Sequence, residues 1–539
     1  MSPGGQTPRV LIVGGGSSGW MAAAYLDARL NRDGRRRVDI AVVESPDIPR
    51  IGVGEATVPS IRHILSVIGI DEAAFLESVD GTFKQAIRFT NWLRNDGSSY
   101  YHPFNRFRES PLDRSTLRWL LSDRSLPFAA TVSAQPALCN AFFAPRTLDG
   151  RDFGPPLSYA YHMNALKFAD LLRDIAVSRG VTHHLDHVVD VARRETGDID
   201  HIRTRGGAQL AADLFIDCSG FAGLLIEKCL EEPWIDCSQW LLNDRAVTMA
   251  VPYDRHYPGY VRPFTTATAM SAGWTWDIPL QNRRSLGYVH SSAYLDEEDA
   301  VRELRKFEGP HSESLETRTV RFRVGVRERA WVQNCVAIGL AGGFIEPLES
   351  TGLYLSDLAT VMLAEHFPLH GDCEGLRWRY NRIMLSRYYE ILDFINLHFA
   401  LSGRDDTDYW REVRKPARRT ARLQAKLDYW RTKPPSVSDF EDAVYPNETI
   451  APLPGAADRD SRHVVDTGTL FGLDSYEAIL YGLDFLRDEC DRWYGSDRPP
   501  SRVAAPIQAR VAAAPERLAP HAAWLQQAAG MPRWETTET

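Results

Sequence analysis

The chain has 539 residues, 44% hydrophobic and 25% charged, the balance of a soluble globular protein with a large core shared by two or three substructures. A formal net charge of −9 gives no reason to expect nucleic acid or an anionic membrane as a partner. Seven cysteines, scattered and never spaced Cys-x-x-Cys, argue against a disulfide framework and a zinc site, so no metal is expected and a reducing cytoplasm fits.

The polar start, Met1 to Arg9, lacks the profile of a signal peptide, and no apolar run reaches the roughly 18 residues of a membrane helix. Arg9 to Val13 is a short apolar strand. Ser18 to Leu30 reads as a helix burying Trp20, Ala23, Ala24 and Leu26, and Val38 to Glu44 as a second strand. Pro59 to Ile70 carries Ile61, Ile64, Leu65 and Ile68 at helical spacing. Thr82 to Trp92 alternates, with Phe83, Ile87 and Phe89 on one face and Lys84 and Ala86 on the other, the pattern of one strand. His162 to Arg179 predicts an amphipathic helix, and His187 to Ala192 and Leu214 to Asp217 predict strands returning to the first sheet. Val247 to Arg323 is rich in strand formers and turns, which predicts an antiparallel layer covering a ligand. Ala337 to Leu340 is a further buried strand before a loop and helix start around Gly342–Gly352, and Leu376 to Leu401 is a long helix. Beyond Asp497 the composition shifts to Ala, Pro and Arg, which predicts a loosely attached tail.

Gly14, Gly16 and Gly19 match G-x-G-x-x-G directly after a strand and at a helix start. The first glycine permits the tight turn, the second lets backbone approach a pyrophosphate, and the third lets helix and strand pack closely. Free N–H groups at the helix start suit phosphates. Glu44 ends the second strand, where an acid can accept from ribose hydroxyls. The intervening turn, Asn31-Arg32-Asp33-Gly34-Arg35-Arg36-Arg37, makes that interval slightly long. These features call for a dinucleotide without separating NAD from FAD. Asp213-Leu214-Phe215-Ile216-Asp217-Cys218-Ser219-Gly220 resembles the segment that returns to the glycine loop in FAD monooxygenase-type folds, and Asn334 to Gly342 resembles their flavin-contacting strand and turn. Leu340 stands where many of those enzymes have an Asp, leaving ribityl recognition to backbone.

Four further segments bring the chain close to one family: Gly52-Val53-Gly54-Glu55-Ala56-Thr57-Val58-Pro59, the Phe83-Lys84 strand running to Asn91-Trp92, Trp274-x-Trp276-x-Ile278-Pro279, and Pro347-Leu348-Glu349-Ser350-Thr351-Gly352. Together they resemble the flavin-dependent halogenases of the tryptophan halogenase family, over most of residues 8 to 410. The resemblance implies an α/β fold: a Rossmann-type, monooxygenase-like FAD domain with an antiparallel substrate-side layer and a mainly helical C-terminal region. The corresponding domains are 1–92 with 160–240 and 330–370 for FAD, 93–159 and 241–329 on the substrate side, 371–500 helical, and 501–539 as the tail.

The reaction implied has two compartments. Reduced FAD from a separate flavin reductase reacts with oxygen to a flavin hydroperoxide, chloride or bromide attacks its distal oxygen, and hypohalous acid travels to an electron-rich aromatic substrate. FAD would be held by Gly14, Gly16, Ser17, Ser18, Gly19, Glu44, Ala56, Val189, Leu340 and Leu353. Lys84 matches the lysine that engages hypohalous acid; read alone it is a solvated strand lysine. Glu349 matches the carboxylate that stabilises the cationic ring intermediate and takes its proton; read alone it is a capping acid. Thr351 and Gly352 match the halide-holding amides. Trp274 and Trp276, otherwise large core residues, would wall the flavin from the substrate.

His102 and Phe104 match an aromatic pair that stacks on an indole. Counting forward from Glu349 reaches Leu453-Pro454-Gly455-Ala456-Ala457, where no aromatic stands, and Tyr445 and Glu448 do not reproduce the lid and amino-gripping acid of the free-tryptophan members. An indole-type substrate, read through its ring, is therefore expected, with a homodimer left open. A flavin-dependent aromatic hydroxylase and a non-catalytic FAD-binding protein are the alternatives, and neither accounts for Lys84, Glu349 and the two tryptophans together.

Overall fold

A computed structural model describes residues 7–31, 35–48, 54–108, 114–253, 261–368, 373–440, 470–495 and 497–533. Gly52, Val53, Arg32–Gly34, Tyr445, Glu448 and Leu453–Ala457 lie outside them.

Strand β1 (Arg9–Val13) is apolar on both sides, as a central strand covered by helices requires. It pairs in parallel with β2 (Asp39–Glu44) and with Leu214–Asp217. The sheet runs Trp331–Val332, Cys335–Ala337, Leu214–Asp217, β1, β2, Thr182–Leu185, parallel except at its Trp331 edge. Helix α1 (Ser17–Leu30) lies against it with nine consecutive buried residues, Gly19 to Asp27. This is the expected Rossmann-type core, with one correction. The strand beside β2 is Thr182–Leu185, whose polar Thr-His-His-Leu run carries no strand signal. Val188–Arg193 belongs instead to a separate three-stranded sheet with Ile199–Thr204 and Gln209–Ala211.

The Thr82 to Trp92 run is two strands serving two sheets. Strand β3 (Gly54–Ala56) and strand β4 (Thr82–Lys84) flank Ala160–Asn164 antiparallel. Strand β5 (Ala86–Thr90) joins a seven-stranded sheet with Ser99–Pro103, Thr265–Ala269 and Gly273–Pro279. The break falls at Gln85, whose N–H goes to Pro263 O at 2.8 Å while its carbonyl accepts from Phe104. The larger sheet is antiparallel apart from the pairing of Thr265–Ala269 with β5. The helix expected from His162 starts later, at Ala165, because Asn164 ends a strand and its side chain accepts from Leu166 N at 3.1 Å.

The C-terminal tail is docked rather than loose over its described residues, 501–533. Two helices, Ala505–Arg517 and His521–Ala528, return to the core. His521 is fully buried, accepts from Phe83 N at 3.1 Å and donates to Val261 O at 2.8 Å. The Trp524 ring packs edge-on against Phe83 at 4.8 Å. The tail thus backs the strand carrying Lys84, a non-local contact that composition cannot reveal. Among the described residues, no helix is long and apolar enough to cross a membrane.

Candidate active site

The glycine turn makes a cradle that side chains would fill. Gly14 adopts φ +116°, and a Cβ there would lie 2.2 Å from Cys218 O; at Gly19 it would lie 1.9 Å from Gly14 O. Both glycines are demanded by the turn itself. At Gly16 a Cβ would meet nothing within 4 Å, because that position faces open space.

That space is a cavity of about 690 Å³. Gly14, Gly16, Ser17, Ser18, Glu44, Ala56, Leu340 and Leu353 line it, as do Trp274, Trp276 and Gly352. Ser18 Oγ lies 2.9 Å from Ser356 Oγ, and His183 Nε2 lies 2.9 Å from Glu44 Oε1. Gly19 shapes the turn from behind. Val189 is displaced from the expected set: strand alternation turns its side chain outward, 59% exposed, while Val188 lines the cavity. The Trp276 indole N–H is buried without a partner, a donor left for whatever fills the cavity. The Trp274 N–H donates to Glu346, whose carboxyl burial pushes up to about 7. A helix N-terminus, an acid at the end of β2 and a cavity of about 690 Å³ lined by both fit an FAD.

A second, smaller cavity of about 170 Å³ is lined by Val58, Pro59, His102, Phe104, Phe128 and Phe471 among others. Phe471 stacks on Phe394 at 4.0 Å. A C-terminal aromatic therefore does reach the pocket, from a position that counting forward from Glu349 missed. Arg106 and Asp474, at the rim, face each other at 3.1 Å.

Two short segments separate the cavities. In the first, Gly54, Glu55 and Ala56 face the larger space, and Val58 and Pro59 the smaller. In the second, Pro347, Leu348, Ser350, Gly352 and Leu353 line the larger space. Glu349 turns the other way, to His102. Ser350 is left-handed at φ 61°, a kink that reverses the chain before helix Thr351–Glu365 begins. Thr351 is buried at that helix start, so its amide and that of Gly352 lie in the first turn.

Lys84 is fully buried in this partition, not solvated. Its Nζ donates to Thr57 O at 3.0 Å and Ser350 Oγ at 2.7 Å, and sits 5.1 Å from the Phe104 ring centre. An ammonium has three donors, so one remains for a reactant. Burial lowers its pKa to about 7, opposed by attraction to Glu349.

Glu349, also buried, accepts from His102 Nδ1 and from His398 Nε2, each at 3.0 Å. His398 lies on helix Glu374–Leu401, and its Nδ1 also donates, to Phe394 O at 2.8 Å. Burial alone would raise the Glu349 pKa, but the facing His102 and His398 rings bring it down to about 2. His102 is thus committed to Glu349 through one ring nitrogen besides lining the pocket with Phe104. His398, Ser350 and Thr57 went unread as site residues. His398 is one of three polar residues, with Asp393 and Asn396, in the otherwise apolar stretch Ile391–Phe399, each of which must find a buried partner.

The family model described as tryptophan halogenase matches residues 9–496. The tryptophan 7-halogenase RebH of Lentzea aerocolonigenes is 40% identical over 447 residues, 79% of this chain and 82% of that protein. The tryptophan 6-halogenase ThaL of Streptomyces albogriseolus is 40% identical over 421 residues, 75% and 78% of the two chains. The crystal structure of a tryptophan halogenase from Shewanella frigidimarina NCIMB 400 superposes with a TM-score of 0.85 at 32% identity, covering 99% of each chain.

Proposed function

The chain belongs to the tryptophan halogenase family, and on that premise we propose that this flavin-dependent halogenase makes its oxidant in the larger cavity and spends it on an indole-type ring in the smaller one. Reduced FAD, delivered by a separate reductase, would with oxygen and chloride or bromide supply hypohalous acid. The residues fitted to hold it are Gly14 to Ser18, Glu44, Ala56, Leu340 and Leu353, and the first-turn amides of Thr351 and Gly352 suit the halide.

The observation that carries this reading is the partition. Lys84 bonds Ser350, which faces the cofactor side, and lies over Phe104, which faces the substrate side. Its third N–H would hydrogen-bond the oxygen of hypohalous acid and draw charge from the halogen. Glu349, kept ionised by the facing His102 and His398, offsets the positive charge on the attacked ring and takes the proton lost when aromaticity returns. Trp274 and Trp276 line the cofactor side and not the substrate pocket. At the substrate pocket Arg106 pairs with Asp474 and Glu477, and Asp474 also with Arg108, so a substrate carboxylate or ammonium would compete with existing ion pairs. The aromatic lining of His102, Phe104, Phe128 and Phe471 favours recognition of the ring.

Mass spectrometry of aromatic candidates incubated with the protein, FAD, a flavin reductase, NADH and bromide tests the assignment. A brominated indole is the expected product. A hydroxylated product, or flavin binding with no turnover on any aromatic, would favour one of the two alternatives.

A further inference from the structure

A third concavity, sharing no lining residue with either cavity above, lies where the helix Glu374–Leu401 ends. It holds about 450 Å³ and is rimmed by Arg411, Arg414, Lys415, Arg419 and Arg431. Among the described residues no acid lines it, on a chain whose net charge is −9. Its floor is apolar: Leu93, Leu401 and Leu483, with Ala400.

Three of the five cations are neutralised from outside the basin. Arg411 pairs with Asp408, Lys415 with Glu412 and Arg431 with Glu489, each at 2.6 Å. Arg414 and Arg419 have no carboxylate at ion-pair distance among the described residues. Arg414 donates to Arg404 O at 2.9 Å, and Arg419 to Gln424 Oε1 and Arg414 O at 3.0 and 3.1 Å. The Arg419 Nε is buried with no acceptor. Burial and the facing Arg431 and Arg414 charges push the Arg419 pKa down against the attraction of Asp428, the mark of positive charge held together without a direct ion pair. A folded protein gains little from such crowding, and an anion would relieve it.

We propose that this basin binds a small organic phosphate, its phosphate gripped by Arg414 and Arg419 and its apolar body laid on Leu93, Leu401 and Leu483. Guanidinium forks match phosphate oxygens two at a time, and two of them suit a dianion better than a single carboxylate. A basin of this volume is of ligand size. Its position also gives it reach: its wall at Ala400 and Leu401 continues the helix turn that carries His398, the partner of Glu349.

Isothermal titration of the FAD-loaded protein with phenyl phosphate and with inorganic phosphate tests the site. Expected are one site per chain, affinity that falls as salt rises, and phenyl phosphate binding at least about threefold more tightly, as an apolar floor demands. Arg414→Gln with Arg419→Gln should lose at least about tenfold in affinity. Those arginines also tie backbone carbonyls, so Lys415→Glu, at an exposed side chain, serves as the second variant and should weaken binding several-fold. Absence of binding to the parent, equal affinity for the two phosphates, or parent-like affinity in Lys415→Glu would overturn the proposal.

Discussion

The Lys84 ammonium donates to the Ser350 hydroxyl over 2.7 Å, and Ser350 is the left-handed residue between Glu349 and Thr351. One hydrogen bond thus fixes the lysine to the turn that sends Glu349 toward the substrate pocket and starts the helix beside the cofactor cavity. Lysine, carboxylate and halide-suited amides are held in register by seven consecutive residues, Pro347 to Leu353, rather than by independent elements.

Halogenation should depend on pH through Lys84. With its pKa near 7, the ammonium proposed to polarise the oxidant is lost as pH rises through that value. Product formed per oxygen consumed should fall there, while Glu349, at about 2, stays ionised and adds no acid limb. A yield that rises with pH above 7 would mean that the neutral amine is the working form. Stability carries the opposite sign. Between about 7 and the ordinary lysine value of about 10.4 the unfolded chain binds the extra proton, so stability gains with pH. Lys84→Met should flatten that slope in urea unfolding.

His398 should set the state of Glu349. His398→Gln keeps one N–H donor and removes the facing ring charge, so the Glu349 pKa should rise and the pH profile of halogenation should acquire an acid limb. Oxygen consumption should be unchanged. A profile identical to the parent's would reduce His398 to packing. Glu349→Gln, which removes the proposed base, should slow product formation about 10²-fold or more.

The two glycine variants should fail differently. Gly16→Val points into open space, so the chain should fold with parent-like unfolding and lose FAD affinity in a fluorescence titration. Gly19→Val collides with the Gly14 carbonyl and should destabilise the turn as well. Parent-like flavin affinity in both would remove the cofactor assignment.

Legibility followed locality. The first strand, the glycine turn and Glu44 were readable because each is a short run with its own signature. The site motifs were readable for the same reason, as chain segments. Taken without the resemblance, Lys84 reads as exposed because its burial depends on Gln85 leaving the strand for Pro263, and on Trp524 packing behind Phe83 from the far end of the chain. His398 and Phe471 come from segments with no fixed spacing to the motifs. Val189 was missed by one residue, the error to which a strand of period two is most sensitive. The Ala- and Pro-rich composition beyond Asp497 hid two docked helices, because His521 and Trp524 are single anchors within it.

That docking is itself testable. Trp524 is 2% exposed, and Trp524→Ala should cost about 3–5 kcal/mol, the usual range for a buried tryptophan. A shift in urea midpoint worth less than about 1 kcal/mol would restore the loosely attached tail.

Substrate scope should follow the ring. Because Arg106 and Asp474 already carry ion-pair partners, the charged groups of free tryptophan would have to compete for them and are costly to desolvate. Indole and simple indoles should therefore be halogenated with higher kcat/KM than free tryptophan. Single-site halogenation of tryptophan with indole inert would reveal a gripping pocket supplied from elsewhere in the chain.

The central claim is that oxidant is made on one side of the partition and used on the other through Lys84. It is tested most directly by Lys84→Met, assayed for oxygen consumption, for halogenation of a freely diffusing hypohalous-acid trap, and for aromatic product. Oxygen uptake and trap halogenation should stay within about twofold of the parent while aromatic product falls by about 10²-fold or more. Aromatic product at the parent's rate, or loss of trap halogenation together with product, would contradict the account.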